Sequence, residues 1–479
     1  MSRRPPISTL FPYTTLFRSK LPPRGLGLTF DELGIQGVGR KNKLRTTYEM
    51  NKFEPYVLSV YSGVSPETPL ISGEMVGMPD DPMSGGEIDP SHILTGGDPF
   101  TRGAKVNPGV FSALPDSNDR LEATDWNSIP ETPSGRRLAF AKWLASPRNA
   151  LVPRSMANRI WSYHFGQGIV DTPNNFGAMG GKPSHPELLD YLATRFIESG
   201  WSVKEMHRLI MSSLAYRRST EHTQRDRLAE RDPKGQSYAL FKHRRLSAEE
   251  LRDSMLYVSG ELNPLVGGLP ALPEINMDVA LQPRQIMGSF AAAYEPARTP
   301  EQRNRRSVYA KKARGLLNPM MEVFNQPSPE ESCEARRNST VTPQVFSLFN
   351  GEDTLNRSIA TALDLLAKNK SRKAVIEDLF LRAYGRKPNL AEPTLYLAHW
   401  KSMEERHDGL TFEPRSFPRE VTRSAVDELT GKSFEFTERL FSFDDYVPDP
   451  GMGDVDATTR ALAEVCLVVF NSNEFIYVY

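Results

Sequence analysis

Residues 185–211 read HPELLDYLATRFIESGWSVKEMHRLIM, and this stretch predicts two consecutive helices. His185 precedes Pro186 and Glu187. At a helix start the missing proline amide proton costs nothing, and a carboxylate meets the positive end of the helix dipole. Leu188, Leu189, Leu192, Phe196 and Ile197 follow at the spacing of a helix with one buried side, and Gly200 is a stop. Ser202 and Glu205 have capping-box spacing, in which hydroxyl and carboxylate each satisfy a free amide. Met206, Leu209, Ile210 and Leu214 then carry the second helix inward.

The same pattern extends in both directions. Upstream, Ser134 can cap a helix with Leu138, Ala141, Trp143 and Leu144 on its apolar side. Residues 153–165 set Met156, Ile160 and Trp161 at helical spacing ahead of Gly166. Downstream, Ser247 and Glu250 repeat the capping box before Leu251, Met255 and Val258. Leu355, Ile359, Leu363 and Leu366, then Val375, Ile376, Leu379, Phe380 and Ala383, closed by Gly385, predict a helical hairpin. Residues 457–470 are a last helix and 475–479 an apolar tail.

Between these elements the chain reads as coil. Residues 20–135 are rich in Gly, Pro, Asp and Ser, with short extended pieces at 56–61 and 92–95 and turn chemistry at 77–90. Residues 263–300 form a Pro- and Gly-rich loop able to cover a cleft. RRSVY at 305–309 looks like the start of a strand, polar coil runs on to Asn350, and 410–455 reads as an irregular insertion. The expected fold class is mainly α: a coil-rich helical globular core with a few short strands and a C-terminal helical region.

Composition bounds the function. The chain has 479 residues, enough for a sizeable buried core. Lys plus Arg and Asp plus Glu are both 59, so there is no global field to attract a polyanion, and nucleic acid is not an expected partner. No run approaches the roughly 18 apolar residues of a membrane span. Two Cys exclude a disulfide scaffold, a four-Cys zinc site and a four-thiolate iron–sulfur cluster. Residues 5–19, PPISTLFPYTTLFRS, lack the continuous apolar core of a signal peptide and resemble translated sequencing-adapter sequence. On that reading the chain is a fragment, and no signal peptide is visible in it.

Several motifs follow one another in order: Asn158-Arg159-Ile160-Trp161, His164-Phe165-Gly166, Gly168-Ile169-Val170, Pro173-Asn174-Asn175-Phe176-Gly177 and His185-Pro186-Glu187-Leu188-Leu189. Ser199-Gly200-Trp201-Ser202, His207-Arg208-Leu209-Ile210-Met211, Arg244-Arg245-Leu246 and Glu249 with Arg252-Asp253 come next. Arg305-Arg306-Ser307-Val308-Tyr309 and Phe470-Asn471-Ser472-Asn473-Glu474-Phe475 complete the series. In these the sequence resembles the planctomycete-type domain of unknown function number fifteen fifty-three, over roughly residues 90–479. The resemblance implies the C-terminal part of an exported or periplasmic bacterial protein. Such proteins often also carry a planctomycete cytochrome c domain, and they are discussed beside polysaccharide and sulfate-ester degradation. This chain has no Cys-x-x-Cys-His, so no c-type haem attaches and no cofactor is expected. The expected organisation is an adapter-derived segment at 1–20 and a linker or upstream remnant at 21–90. The family's helical core at 91–345 and its C-terminal helical part at 346–479 follow.

Two polar constellations are candidate sites. Residues 158–185 gather Asn158, Arg159, His164, Asp171, Asn174, Asn175 and His185 on a Gly- and Asn-rich loop between helices. One reading makes these side chains the supports of buried loop backbone. A weaker one has His164 and His185 bind a metal with Asp171 or Glu187, although the spacing matches no metal signature and no metal is expected. Arg244, Arg245, Arg252, Arg305, Arg306, Arg336 and Arg337 form the second set, either an anion pocket for an acidic or sulfated sugar or partners of nearby Glu and Asp. No nucleophile elbow, triad order or phosphate-binding glycine motif occurs. Cys333 lies among acidic residues, a poor setting for a thiolate. Cys466 fits the apolar face of the last helix; in an exported protein, which the resemblance allows, the two could instead pair as a disulfide. The leading expectation is a binding or scaffold module of a complex associated with polysaccharide utilisation, with a partner protein or an acidic glycan as ligand. A hydrolase of polysaccharides or their sulfate esters, with its site between residues 158–185 and Arg305–Arg306, is the alternative. A docking partner of a cytochrome c domain is the second alternative, so whether the chain is an enzyme stays open.

Overall fold

Residues 185–211 fold as two helices, Pro186–Glu198 and Val203–Met211. The first buries Leu189, Leu192, Ala193 and Phe196, the second Met206 and Ile210. Both pack on the Leu151–Phe165 helix, whose Ala157, Ile160, Trp161 and Phe165 join Ile169, Val170 and Phe241 in one apolar core. Gly166 (φ +75°) and Gly200 (φ +68°) stop helices in the left-handed conformation that glycine adopts without strain. The capping box at Ser202 is half formed. Its hydroxyl accepts from Glu205 N at 3.3 Å, but the Glu205 carboxylate turns to Arg208 instead of back to the cap. The box at Ser247 and Glu250 is complete. The Arg136–Leu144 helix starts from Gly135 rather than from a Ser134 cap and buries Trp143, leaving Leu138 exposed. Met156 and Leu214, expected inside, are also exposed.

A second core is assembled from the helices Ala248–Val258, Glu352–Lys368, Arg372–Tyr384, Glu392–His407 and Ala457–Phe470. The expected hairpin forms: Ser371 caps its second helix by accepting from Ala374 N at 3.2 Å, and Gly385 (φ +69°) ends it. Ala457–Phe470 is buried almost all round, by Ala461, Leu462, Val465, Cys466, Val469 and Phe470. A helix apolar on every side belongs in the centre of a core. After it, the short Asn473–Ile476 helix turns the chain so that Tyr477–Val478 pairs antiparallel with Arg244–Arg245 (Arg244↔Val478, Arg245↔Tyr477).

This is a computed structural model, and it describes residues 27–51, 90–111, 128–131, 134–286, 289–336, 339–426 and 431–479. The adapter-like residues 5–19, the extended piece at 56–61, nearly all of the turn-rich 77–90 and Arg337 lie outside the described residues. Among the described residues there are sixteen α-helices and eight short strands, the strands in four two-stranded sheets, so the fold is mainly α. No described helix is long and apolar enough to cross a membrane. The chain divides into two units. The larger comprises Val57–Asn276, Pro296–Ser416 and Tyr446–Tyr479 and holds both cores described above.

The smaller unit is Met1–Tyr56, Met277–Glu295 and Phe417–Asp445. Residues 410–455, expected to be irregular, contain a regular hairpin, Glu420–Val426 against Ser433–Arg439, in register from Glu420↔Arg439 to Val426↔Ser433. Its alternation buries Ala425, Phe434 and Phe436 against Val38 of the Phe30–Asn51 helix. A Cβ on Gly34 would stand 2.6 Å from the Phe434 ring, so glycine lets that ring seat on the helix. The expected loop at 263–300 likewise contains a short helix, Met277–Leu281, and a small hairpin of Arg284–Ile286 with Ser289–Ala291. In the larger unit, the strand expected from RRSVY is a 3-10 turn at Ser307–Tyr309. Asp253 Oδ1 accepts from both Ser307 N and Ser307 Oγ, each at 2.7 Å, and curls the chain there.

Candidate functional site

The polar loop of residues 158–185 is built inward from the Leu151–Phe165 helix. Asn158 is fully buried and clamps Val170 through both backbone groups: Nδ2 donates to Val170 O at 2.9 Å, and Oδ1 accepts from Val170 N at 2.8 Å. A Cβ on Gly168 would lie 2.8 Å from that Oδ1 and 2.5 Å from Val170 O, so only glycine fits beneath the clamp. The next residue, Arg159, donates to Asn174 Oδ1. Asn175 Oδ1 accepts from Gly177 N at 3.0 Å, and Thr172 Oγ1 accepts from Gly181 N at 2.8 Å. Asn174 N donates to Glu334 Oε1 at 2.9 Å, which joins the loop to residues 333–336.

His164 and His185 face different partners and do not converge. His185 stands at the head of its helix with Nδ1 3.1 Å from Ser184 Oγ and its ring against Tyr238, whose hydroxyl accepts from Trp161 Nε1 at 2.9 Å. His164 Nε2 meets His207 Nδ1 at 2.8 Å, with the Tyr216 ring edge-on. Burial, then the His207 ring and the Arg244 charge, hold the His164 imidazole below its ordinary pKa. Among the described residues no group of three or more His, Cys, Asp or Glu is placed to hold a metal ion.

The arginines of the second constellation are engaged one by one. Arg244 forks onto Glu250 at 2.7 and 3.0 Å. Burial would raise the Glu250 carboxyl, but Arg244 and the Ser247 cap hold it low. Arg245, 6% exposed, donates to Ser339 O at 2.6 Å and Asn325 Oδ1 at 3.0 Å, and lies over the Phe324 ring. Arg305, 5% exposed, gathers three carbonyls of one loop, Leu265 at 3.0 Å, Leu269 at 2.6 Å and Gly267, over the face of Tyr309. Arg252 donates to Arg305 O at 2.9 Å and Arg303 O at 3.0 Å. Arg306 is exposed, its Nε 3.7 Å from Asp253 Oδ2. Arg336 forks onto Glu249; burial pushes that carboxyl up, and the Arg336 and Gln326 hydrogen bonds outweigh it to leave the pKa at about 2. Residues 158–185 thus meet Glu334, whereas the side-chain hydrogen bonds of Arg305 all go to the loop of Leu265, Gly267 and Leu269.

The model of one protein family, PSD1, described as a protein of unknown function (DUF1553), matches residues 136–400, more than half of the chain. The chain belongs to that family. No curated protein and no solved structure matches it. The stretch matched to PSD1 opens with the Arg136–Leu144 helix and ends inside Glu392–His407, so it holds every candidate site residue described above.

A charged cluster that the sequence does not announce joins the family stretch to residues beyond it. Arg357 contacts Glu261 and Asp449, and Arg303, 1% exposed at its side chain, donates to Asp449 Oδ1 at 2.8 Å and Val447 O at 2.8 Å. Nearby, Arg415 links Glu274 to Glu352, and Tyr446 Oη donates to Glu274 at 2.6 Å. Asp353 sits among these groups. Burial pushes its carboxyl up to about 6, the Arg252 and Arg357 charges pull it back, and Glu274 and Glu352 add to the rise. The available signal is a polar stripe, Thr354, Arg357, Ser358 and Thr361, at helical spacing on the helix whose Leu355, Ile359, Leu363 and Leu366 mark the expected apolar face. Both cysteines are free. Cys333 is exposed, while Cys466 is sealed in the second core, where burial raises its thiol pKa, so the disulfide left open by the sequence is not formed.

Proposed function

We propose that this PSD1 member is a binding or scaffold module of an exported bacterial protein, part of a complex associated with polysaccharide utilisation. The observation that carries this reading is the engagement of the arginines, of which Arg245 and Arg305 are buried. Arg245, Arg252 and Arg305 donate chiefly to backbone carbonyls, and Arg244 and Arg336 are forked onto glutamates. Guanidinium groups used in this way hold irregular backbone in place and leave no fork open for a sulfate or uronate. The exported setting and the polysaccharide association rest on the family resemblance of the motifs between Asn158 and Phe475.

A hydrolase is the second reading, and Asp353 favours it. A carboxyl raised to about 6 beside Glu274 and Glu352 has the poise of a general acid near neutral pH. One experiment separates the two. The full chain is applied to arrayed neutral, uronate-bearing and sulfated glycans while released sulfate and reducing ends are measured. Retention on glycan or capture of a cell-envelope protein, without release, is the expected result. Release of either product, abolished by Asp353→Asn, would replace the scaffold reading with the hydrolase.

A further inference from the structure

The Leu151–Phe165 and Val203–Met211 helices are joined at their polar edge by two imidazoles, His164 Nε2 and His207 Nδ1 at 2.8 Å. At that distance one ring nitrogen donates and the other must accept, so the contact requires at least one neutral ring. Protonating both sets two N–H donors against each other. From this geometry we propose that the His164–His207 pair is an acid-sensitive latch, closed while one ring is neutral and forced apart when both are charged.

The surroundings sharpen the effect. From the Arg244–Arg245 strand, the Arg244 charge acts on His164; that guanidinium is shared with Glu250 of the Ala248–Val258 helix. Tyr216 meets the His164 ring edge-on and brings no carboxylate. Among the described residues no carboxylate pairs with either ring to absorb a second proton's charge, and both rings are only partly exposed. The depressed pKa of His164 agrees with this. The sign follows from linkage: an unfolded imidazole takes up its proton near pH 6.5, the latched His164 ring resists, and the folded state loses stability as pH falls through that range. What the latch controls is the seating of the Leu151–Phe165 helix, which also carries Asn158, Arg159 and Trp161 and through them residues 170–174 and Tyr238.

The test compares thermal unfolding of the full chain at pH about 7.5 and about 5 with that of His207→Asn, whose amide oxygen keeps an acceptor near Nδ1 and does not titrate. The drop in Tm on acidification is expected to be smaller in the variant by about 2 °C. His164→Gln, which keeps an amide near Nε2, is expected to flatten the same limb. Histidine-selective NMR should show one ring of the pair titrating well below the other. An unchanged acid limb in both variants, or two rings titrating independently near pH 6.5, would overturn the latch.

Discussion

At the scale of single residues, this protein uses charge to hold backbone. Arg305 takes three carbonyls of one Gly-rich loop, and Asn158 clamps both backbone groups of Val170. Both residues stood out in the sequence within polar constellations; for Asn158 the reading that it supports buried loop backbone was legible there, whereas for Arg305 the expected partners were a sugar anion or nearby Glu and Asp. Their partners were not, because Leu265, Gly267 and Leu269 precede Arg305 by tens of residues and contribute only backbone oxygen. Asp353 is the reverse case, a carboxyl kept inside with its pKa raised to about 6. Because its folded pKa lies above the unfolded one, the folded state binds the proton more tightly. Stability therefore falls as pH rises from about 4 to about 6 and the penalty stays in full above that. Asp353→Asn removes the ionisation and should gain up to about 3 kcal/mol at pH 7, with the gain vanishing near pH 4. Urea unfolding at both pH values checks it; a variant less stable than the parent at pH 7 would mean that the Arg252 and Arg357 attraction outweighs burial.

At the scale of elements, the two capping sites differ in a way that the sequence could not rank. Ser202 with Glu205 and Ser247 with Glu250 have the same spacing, yet Glu205 is drawn to Arg208 and Glu250 is fixed from two sides, by Ser247 N at 2.8 Å and by the Arg244 fork. Ser202→Ala should cost about 1 kcal/mol, the worth of one cap bond. Glu250→Ala, which also leaves Arg244 without its carboxylate, should cost about 2–3 kcal/mol. Equilibrium denaturation of the two variants side by side gives the order; equal costs would show that the Arg244 fork contributes nothing. The helices were legible because 3.6-residue periodicity survives in one dimension. The hairpin Glu420–Val426 with Ser433–Arg439 was missed although Phe434, Phe436 and Glu438 alternate inward. The prolines and charges around it masked a two-residue period seven positions long. The turn at Ser307–Tyr309 was missed for another reason: Asp253, which bends it, lies on a different element.

At the scale of the whole molecule, the stretch matched to the family does not contain its own core. The match stops at residue 400, but Ala457–Phe470 places Leu462, Val465, Cys466 and Phe470 among Ile359, Leu365, Leu379 and Trp400. Asp449 is the carboxylate held by Arg303 and Arg357, and Tyr477–Val478 is the strand beside Arg244–Arg245. A chain ending at residue 400 would expose the apolar faces of at least three helices and leave two buried guanidinium groups without their shared carboxylate. Breaking a buried pair in this way costs about 3–5 kcal/mol, a large share of the 5–15 kcal/mol that holds a typical domain together. The truncated chain is therefore expected to keep helical far-UV signal while losing near-UV structure and binding a hydrophobic dye. The full chain should unfold with a cooperative transition. A truncated chain that melted as sharply as the parent would show that the 136–400 stretch folds by itself, and that the residues after it decorate a core they do not complete.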